Sequence, residues 1–206
     1  MSRTIQNPAT TAPVMPGTSR SGATAVAGLM VVSGWTLAIS LAAQVRVPVP
    51  GTDVPMTLQA LAVLLTGYFL SPGRAVAASL LYLACGACGL PVFSPSSTGF
   101  AGPTAGYLVG FVAAAWLVST LRGPRPSAYA RLLVAGACGM GAVFAFGMVW
   151  RLPMLGGDVA AAVWTGVIPF LPKAAVEVLL AASLVRVIRG LGPAGGGQVS
   201  GRGPRN

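Results

Sequence analysis

The stretch PVPGTDVPMTLQ, Pro48 to Gln59, interrupts a chain that is almost all Ala, Val, Leu and Gly on either side. Three prolines, an aspartate, two threonines and a glutamine cannot continue a hydrophobic helix, so the apolar runs flanking the stretch are separate elements. Working outward, apolar runs of about 16 to 23 residues recur with Gly, Pro or Arg between them, and about 20 apolar residues cross a bilayer as a helix. Six spans are read: 23–44, 56–71, 73–90, 104–121, 128–150 and 170–190. Composition agrees, with 54% hydrophobic and 8% charged residues and a mean hydropathy of +0.77, where soluble domains carry roughly 25% charged residues. The runs are continuous rather than alternating with period two, which argues against a β-barrel. The expected fold class is an all-α integral membrane protein, a bundle of six transmembrane helices.

The ends differ from this membrane domain, residues 23–190. Residues 1–22 mix Ser, Thr, Pro and Ala, and 191–206 are mostly Gly, Pro and Arg. Both are expected to be disordered tails, because such sequences bury too little apolar surface to offset ordering entropy. The first run is longer than the h-region of a signal peptide and is read as a retained helix.

A net charge of +10 raises the possibility of nucleic acid, but the basic residues are scattered among hydrophobic spans rather than gathered in a patch, and no nucleic-acid partner is expected. Their placement reports topology instead. With a cytoplasmic N-terminus, one side carries Arg3, Arg20, Arg74, Arg122, Arg125, Arg131, Arg186, Arg189, Arg202 and Arg205, and the other Arg46, Arg151 and Lys173. The positive-inside rule then places both termini in the cytoplasm of a multi-pass plasma-membrane protein. It also gathers 45–55, 91–103 and 151–169 on the outer face, with Asp53, Asp158 and the uncharged LPVFSPSSTGFAGPTAGY, 90–107. An outward-facing pocket roofed by loops is expected, since irregular backbone near a membrane needs protein or a water-filled cavity around it.

Several residues carry both a functional and a plain reading. Thr57 and Gln59 offer a hydroxyl and an amide to a polar ring at the mouth of a span, or Thr57 simply caps the helix. Gly102, Gly106 and Gly110 recur at spacing four and permit close helix contact, with Tyr107 as an interfacial anchor or a ligand contact. Gly34, Ala38 and Ala42 repeat that spacing in the first span, for internal packing or for docking another membrane protein. Cys85 and Cys88 form CGAC inside an apolar span, without the context of a redox site; with no His in the chain they read, like Cys138, as small packing residues, and no metal site is expected. Lys173 and Glu177 stand one turn apart at the start of the last span, where ionisable groups mark function unless they merely pair. Arg151 is a further cation near the outer surface. No phosphate loop of the G-x-x-x-x-G-K-[ST] type occurs, and three acids with no His are too few for a membrane hydrolase or a metal-dependent transferase, so no enzymatic activity and no cofactor are expected.

Residues 54–93, VPMTLQALAVLLTGYFLSPGRAVAASLLYLACGACGLPVF, with GFAGPTAGYLVGF at 99–111 and GVIPFLP at 166–172, resemble the BioY family, the biotin-binding S components of energy-coupling factor (ECF) transporters. The resemblance runs from about residue 25 to 188. It implies a six-helix membrane protein that captures biotin from outside and works with a transmembrane coupling subunit and two ATPase subunits, which fits the missing phosphate loop. It also implies that the opening stretch is a lid, with Asp53, Thr57 and Gln59 at the site and Gly34, Ala38 and Ala42 facing the coupling subunit. Biotin would find hydrogen-bonding groups for its ureido ring, Phe93, Phe100, Tyr107 or Trp150 for its sulfur ring, and Arg151 or Lys173 for its carboxylate, with Tyr82 and Glu177 also expected among the binding residues. The last helix departs from the family pattern. After PFLP the family usually has Gly-Asp and then a Lys three residues past the Asp, where this chain has Lys173, Ala174 and Glu177. Lys173 projects along the same helical face and is expected to replace the lost cation.

The departure leaves room for another small carboxylate as ligand. A solitary carrier, a small membrane enzyme acting on lipid and a self-associating structural protein are the other readings.

Overall fold

A computed structural model of the chain describes residues 20–94, 99–123 and 128–190. The expected tails lie outside the described residues except for 20–22, which belong to the first helix, and so do Arg3, Arg125, Arg202 and Arg205. Helices α1 (Arg20–Gln44), α2 (Gln59–Phe69), α3 (Pro72–Ala87), α4 (Ala105–Leu121), α5 (Tyr129–Arg151) and α7 (Leu171–Gly190) correspond to the six spans, and a short α6 (Val159–Gly166) stands between the last two. Neighbours close a ring in the order α1, α3, α4, α5, α7, α2, and α2 also packs across the middle against α4.

Outward-facing side chains such as Leu29, Met30, Leu41, Val149 and Val187 are exposed, a surface suited to acyl chains rather than water. The inner faces are small and tightly set: Ala62, Val63, Leu64, Ala75, Ala78, Ala114, Ala115, Val118, Ala135 and Ala181 form one buried cluster. Polar side chains stitch the helices together inside it. Thr36 donates to the Ala78 carbonyl at 3.0 Å, joining α1 to α3, and the Tyr68 hydroxyl donates to the Leu132 carbonyl, joining α2 to α5. In a membrane such bonds each contribute about 0.6 kcal/mol.

Two expectations change. The second span begins later than residue 56, because Met56 and Thr57 form a two-residue strand, β2, paired antiparallel with β1 (Arg46–Val47) in the register Arg46↔Thr57 and Val47↔Met56. Pro48, Pro50 and Pro55 keep this segment out of helix, and Gly51 turns it with a φ of 83°. Thr57 is therefore not the helix cap; Leu58 holds that position without a side-chain bond. The connection 151–169 is not all loop, since it contains α6, which the Asp158 carboxylate caps by accepting from the Ala161 N–H at 2.9 Å. Eight residues are too few to register as a span.

At 11 residues α2 is only about 16 Å long, so it ends well short of a bilayer's thickness. Its final carbonyls have no intrahelical partner. Arg189, from the end of α7, donates to the Tyr68 carbonyl at 2.6 Å and lies over the Phe69 ring, while Arg122, just past α4, donates to the Leu70 carbonyl at 2.7 Å. Two guanidinium groups thus complete the negative end of the helix dipole. Replacing either arginine by methionine is expected to cost about 1 kcal/mol, read as a melting temperature about 3 °C lower for the purified chain.

Candidate functional site

At the opposite end of α2 from these arginines lies a small cavity with an open mouth. The hairpin roofs it with Val54, Pro55, Met56 and Thr57; α2 supplies Gln59 and Ala60; α4 gives Tyr107, Leu108 and Phe111; α5 gives Met140, Val143 and Phe144; Phe170 comes from the turn just before α7, and Lys173 and Glu177 from the first turns of α7. Ser94 and Thr104 complete the lining. Polar groups are few and convergent in an otherwise apolar wall, as ligand orientation requires.

Each polar group is set by its neighbours. Thr57 donates to the Gln59 Oε1 at 2.8 Å, and the Gln59 amide nitrogen donates to the Tyr82 hydroxyl, which fixes the amide orientation. Tyr82 itself is fully buried behind Gln59 and meets the Phe93 ring edge-on, with Phe93 in turn edge-on to Phe100. The Tyr107 hydroxyl donates to the Gly166 carbonyl at 2.8 Å, tying the cavity wall to the end of α6. Lys173 Nζ lies 2.7 Å from Glu177 Oε1, with the Glu177 side chain 3% exposed. Arg151, buried at the end of α5, donates from Nη1 to Asp53 Oδ1 at 2.7 Å and from Nη2 to Thr165 Oγ1 at 3.0 Å.

Of the residues singled out from sequence, Thr57, Gln59, Tyr107, Lys173 and Glu177 line the cavity together. Tyr82, Phe93, Phe100 and Trp150 do not. Tyr82 and Phe93 pack behind the wall, Phe100 is half exposed on a short turn, and Trp150 turns away to donate to the Gly102 carbonyl at 3.1 Å. Arg151 and Asp53 are engaged with each other beside the cavity rather than in its lining, with Asp53 in the hairpin groove. Gly34 is exposed and Ala38 and Ala42 are half-buried, so the small-residue stripe lies along one flank of α1. Cys85, Cys88 and Cys138 are free thiols, and among the described residues no group of His, Cys, Asp or Glu could hold a metal. The apolar wall on α5 escaped the sequence reading because Met140, Val143 and Phe144 look like any lipid-facing helical stretch. Only their i, i+3, i+4 spacing, matched by Tyr107, Leu108 and Phe111 on α4, marks an inward face.

The BioY family model matches residues 13–194. The chain belongs to the BioY family. Family relatives include the biotin transporter BioY of Thermotoga maritima, 34% identical over 66% of this chain and 81% of its own, and that of Rhodobacter capsulatus, 34% identical over 79% of this chain and 88% of its own. The fold is similar to the crystal structure of the S component for biotin from an ECF-type ABC transporter, with a TM-score of 0.74 at 20% identity over 84% of this chain and 96% of that one. As a BioY member the chain is a multi-pass membrane transport protein rather than an enzyme.

Proposed function

We propose that this chain is the substrate-binding membrane subunit of a vitamin transporter, capturing biotin from outside for ATP-driven uptake with a separate coupling subunit and two ATPase subunits. The observation that carries the reading is the cavity under the hairpin, in which a few fixed polar groups face an apolar wall at one end of a BioY-family bundle. Its aromatic and aliphatic wall suits the fused rings and the alkyl tail, and Gln59 and Thr57 meet the polar ring edge. Arg122, Arg131, Arg186 and Arg189 gather at the other end of the bundle, which favours a cytoplasmic location for that end and an outward-facing cavity. The half-exposed flank of α1 carrying Gly34, Ala38 and Ala42 is the surface proposed for the coupling subunit.

Equilibrium binding of biotin to the detergent-purified chain tests the capture step. Saturable binding is expected, weakened about tenfold by Gln59→Ala, which removes a preset hydrogen-bonding group from the lining. Lys173→Ala is expected to weaken it as well. No saturable binding by the folded wild-type chain would reject biotin as the ligand and direct the search to other small carboxylates. Copurification of a coupling subunit and ATPases tests the assembly.

A further inference from the structure

The three acidic side chains of the chain all stand toward the cavity end: Asp53 in the hairpin, Asp158 at the cap of α6, and Glu177 in the cavity lining. The other end of the bundle gathers arginines. Arg122 and Arg189 hold the last carbonyls of α2. The Arg131 guanidinium lies over Gly123, the residue after Arg122, with Nη1 2.9 Å from where a Cβ would stand. Arg186 lies over the Tyr129 ring with its Cζ 5.6 Å from the ring centre, and the Tyr129 hydroxyl shares a hydrogen bond of 2.9 Å with Ser183 Oγ, one turn before Arg186. Four guanidinium groups thus converge from α4, α5 and α7, and among the described residues none has an acidic partner. The end of the α2 dipole offers them about half a negative charge, so most of the positive charge is unmatched within the chain.

We propose that this cluster is a binding site for an anionic phospholipid, with Arg131 and Arg186 on the headgroup phosphate and the acyl chains along Leu184, Val187 and Ile188 of α7. Exposure selects the two arginines: Arg131 and Arg186 are exposed, whereas Arg122 and Arg189 are half-buried and engaged with α2. A guanidinium presents five N–H donors in a fixed fork and meets a phosphate with two of them at once. The apolar half of the site is beside it, since Leu184, Val187 and Ile188 are all exposed and their i, i+3, i+4 spacing forms one stripe next to Arg186. Position favours a lipid over an acidic patch of the coupling subunit. The α1 flank proposed for that subunit packs beside α2 and α3, across the ring from α5.

Native mass spectrometry and thermal melting of the detergent-purified chain test the site, with phosphatidylglycerol, phosphatidylcholine and inorganic phosphate as probes. The wild type is expected to bind phosphatidylglycerol about tenfold or more tighter than phosphatidylcholine and to melt higher with it, a preference that fades in about 0.5 M salt. Arg131→Gln combined with Arg186→Gln should weaken phosphatidylglycerol about 25-fold, roughly fivefold for each charge. Arg131→Lys combined with Arg186→Lys keeps the charge and should restore most of the binding. Inorganic phosphate should leave the melting temperature unchanged, and a rise equal to that with phosphatidylglycerol would overturn the lipid assignment in favour of a free anion. Glutamine variants that bind phosphatidylglycerol as the wild type does overturn the proposal, and so does a lysine pair as weak as the glutamine pair, which would leave the arginines as mere braces of Tyr129. A wild type without lipid preference, whose glutamine variant copurifies less coupling subunit, gives the cluster to a protein partner and overturns it as well. Neither Arg131 nor Arg186 lines the cavity, so biotin titrations of these variants should match the wild type, and this assignment stands or falls separately from biotin capture.

Discussion

Gly147→Ile is expected to abolish biotin binding and to lower the melting temperature of the purified chain by about 10 °C, the equivalent of about 3 kcal/mol in a chain of this size. Gly147 of α5 faces the ring of Tyr107 on α4, and any Cβ there would overlap the ring carbons. Tyr107 has nowhere to retreat, since it is buried and its hydroxyl is held by the Gly166 carbonyl at 2.8 Å. The same seam is closed from the other side by Gly106, whose added Cβ would stand 2.5 Å from the Phe146 carbonyl oxygen and 3.1 Å from the Gly147 Cα. Two backbones in such contact cannot separate locally, so the strain spreads along α4 and α5. Binding fails together with stability because Tyr107 is also cavity wall. Gly141→Ala is the control: the position is open on α5, with nothing within 4 Å of a Cβ, so alanine should be neutral or stabilise by about 0.5 kcal/mol. Thermal melting and biotin titration of both variants measure the contrast, and matching melting curves would contradict the close seam.

That seam shows how much was legible in the sequence. Gly106 and Gly110 at spacing four announced close contact, and the structure sets both against α5. The long spans α1, α5 and α7 were legible for a related reason, since a run of apolar residues about as long as a bilayer is thick has few other solutions. What could not be read was local backbone choice near the surface. The sequence VPMTLQ continues the hydrophobic run, yet Met56 and Thr57 pair with Arg46 and Val47 instead of entering the helix, a choice made by a partner strand ten residues earlier. The cavity that forms the candidate site was legible in its polar lining, because Thr57, Gln59, Lys173 and Glu177 are costly in a membrane and so carry information. Aromatic residues carried less: Phe93 and Trp150 are as useful for packing as for a ligand, and the structure spends them on Gly86 and on the Gly102 carbonyl. Nor did spacing reveal that Arg151 and Asp53, 98 residues apart, would meet.

Their meeting leads to the second large effect: Asp53→Ala and Arg151→Met should both accelerate biotin dissociation about tenfold or more, while differing in their effect on stability. Asp53 belongs to the hairpin that roofs the cavity; Arg151 closes α5; Thr165 lies on α6. One guanidinium therefore ties the roof to two walls, through bonds of 2.7 Å and 3.0 Å. Removing either end frees the roof to open. The stability costs part because the two ends differ in exposure, with Arg151 4% exposed and Asp53 60%. Asp53→Ala leaves a buried guanidinium with Thr165 as its remaining side-chain partner, and breaking a buried pair from one side costs about 3–5 kcal/mol, reduced here to about 2 because the carboxylate is solvated. Arg151→Met removes the charge along with the bond and returns Asp53 to water, so stability should change by less than about 1 kcal/mol. Stopped-flow release of biotin and thermal melting separate the two quantities. If Arg151 instead held the ligand's carboxylate, Arg151→Met would weaken binding far more than Asp53→Ala, and removing the competing aspartate would tighten it. Equal acceleration by the two variants, with unequal melting temperatures, is the signature of a tether.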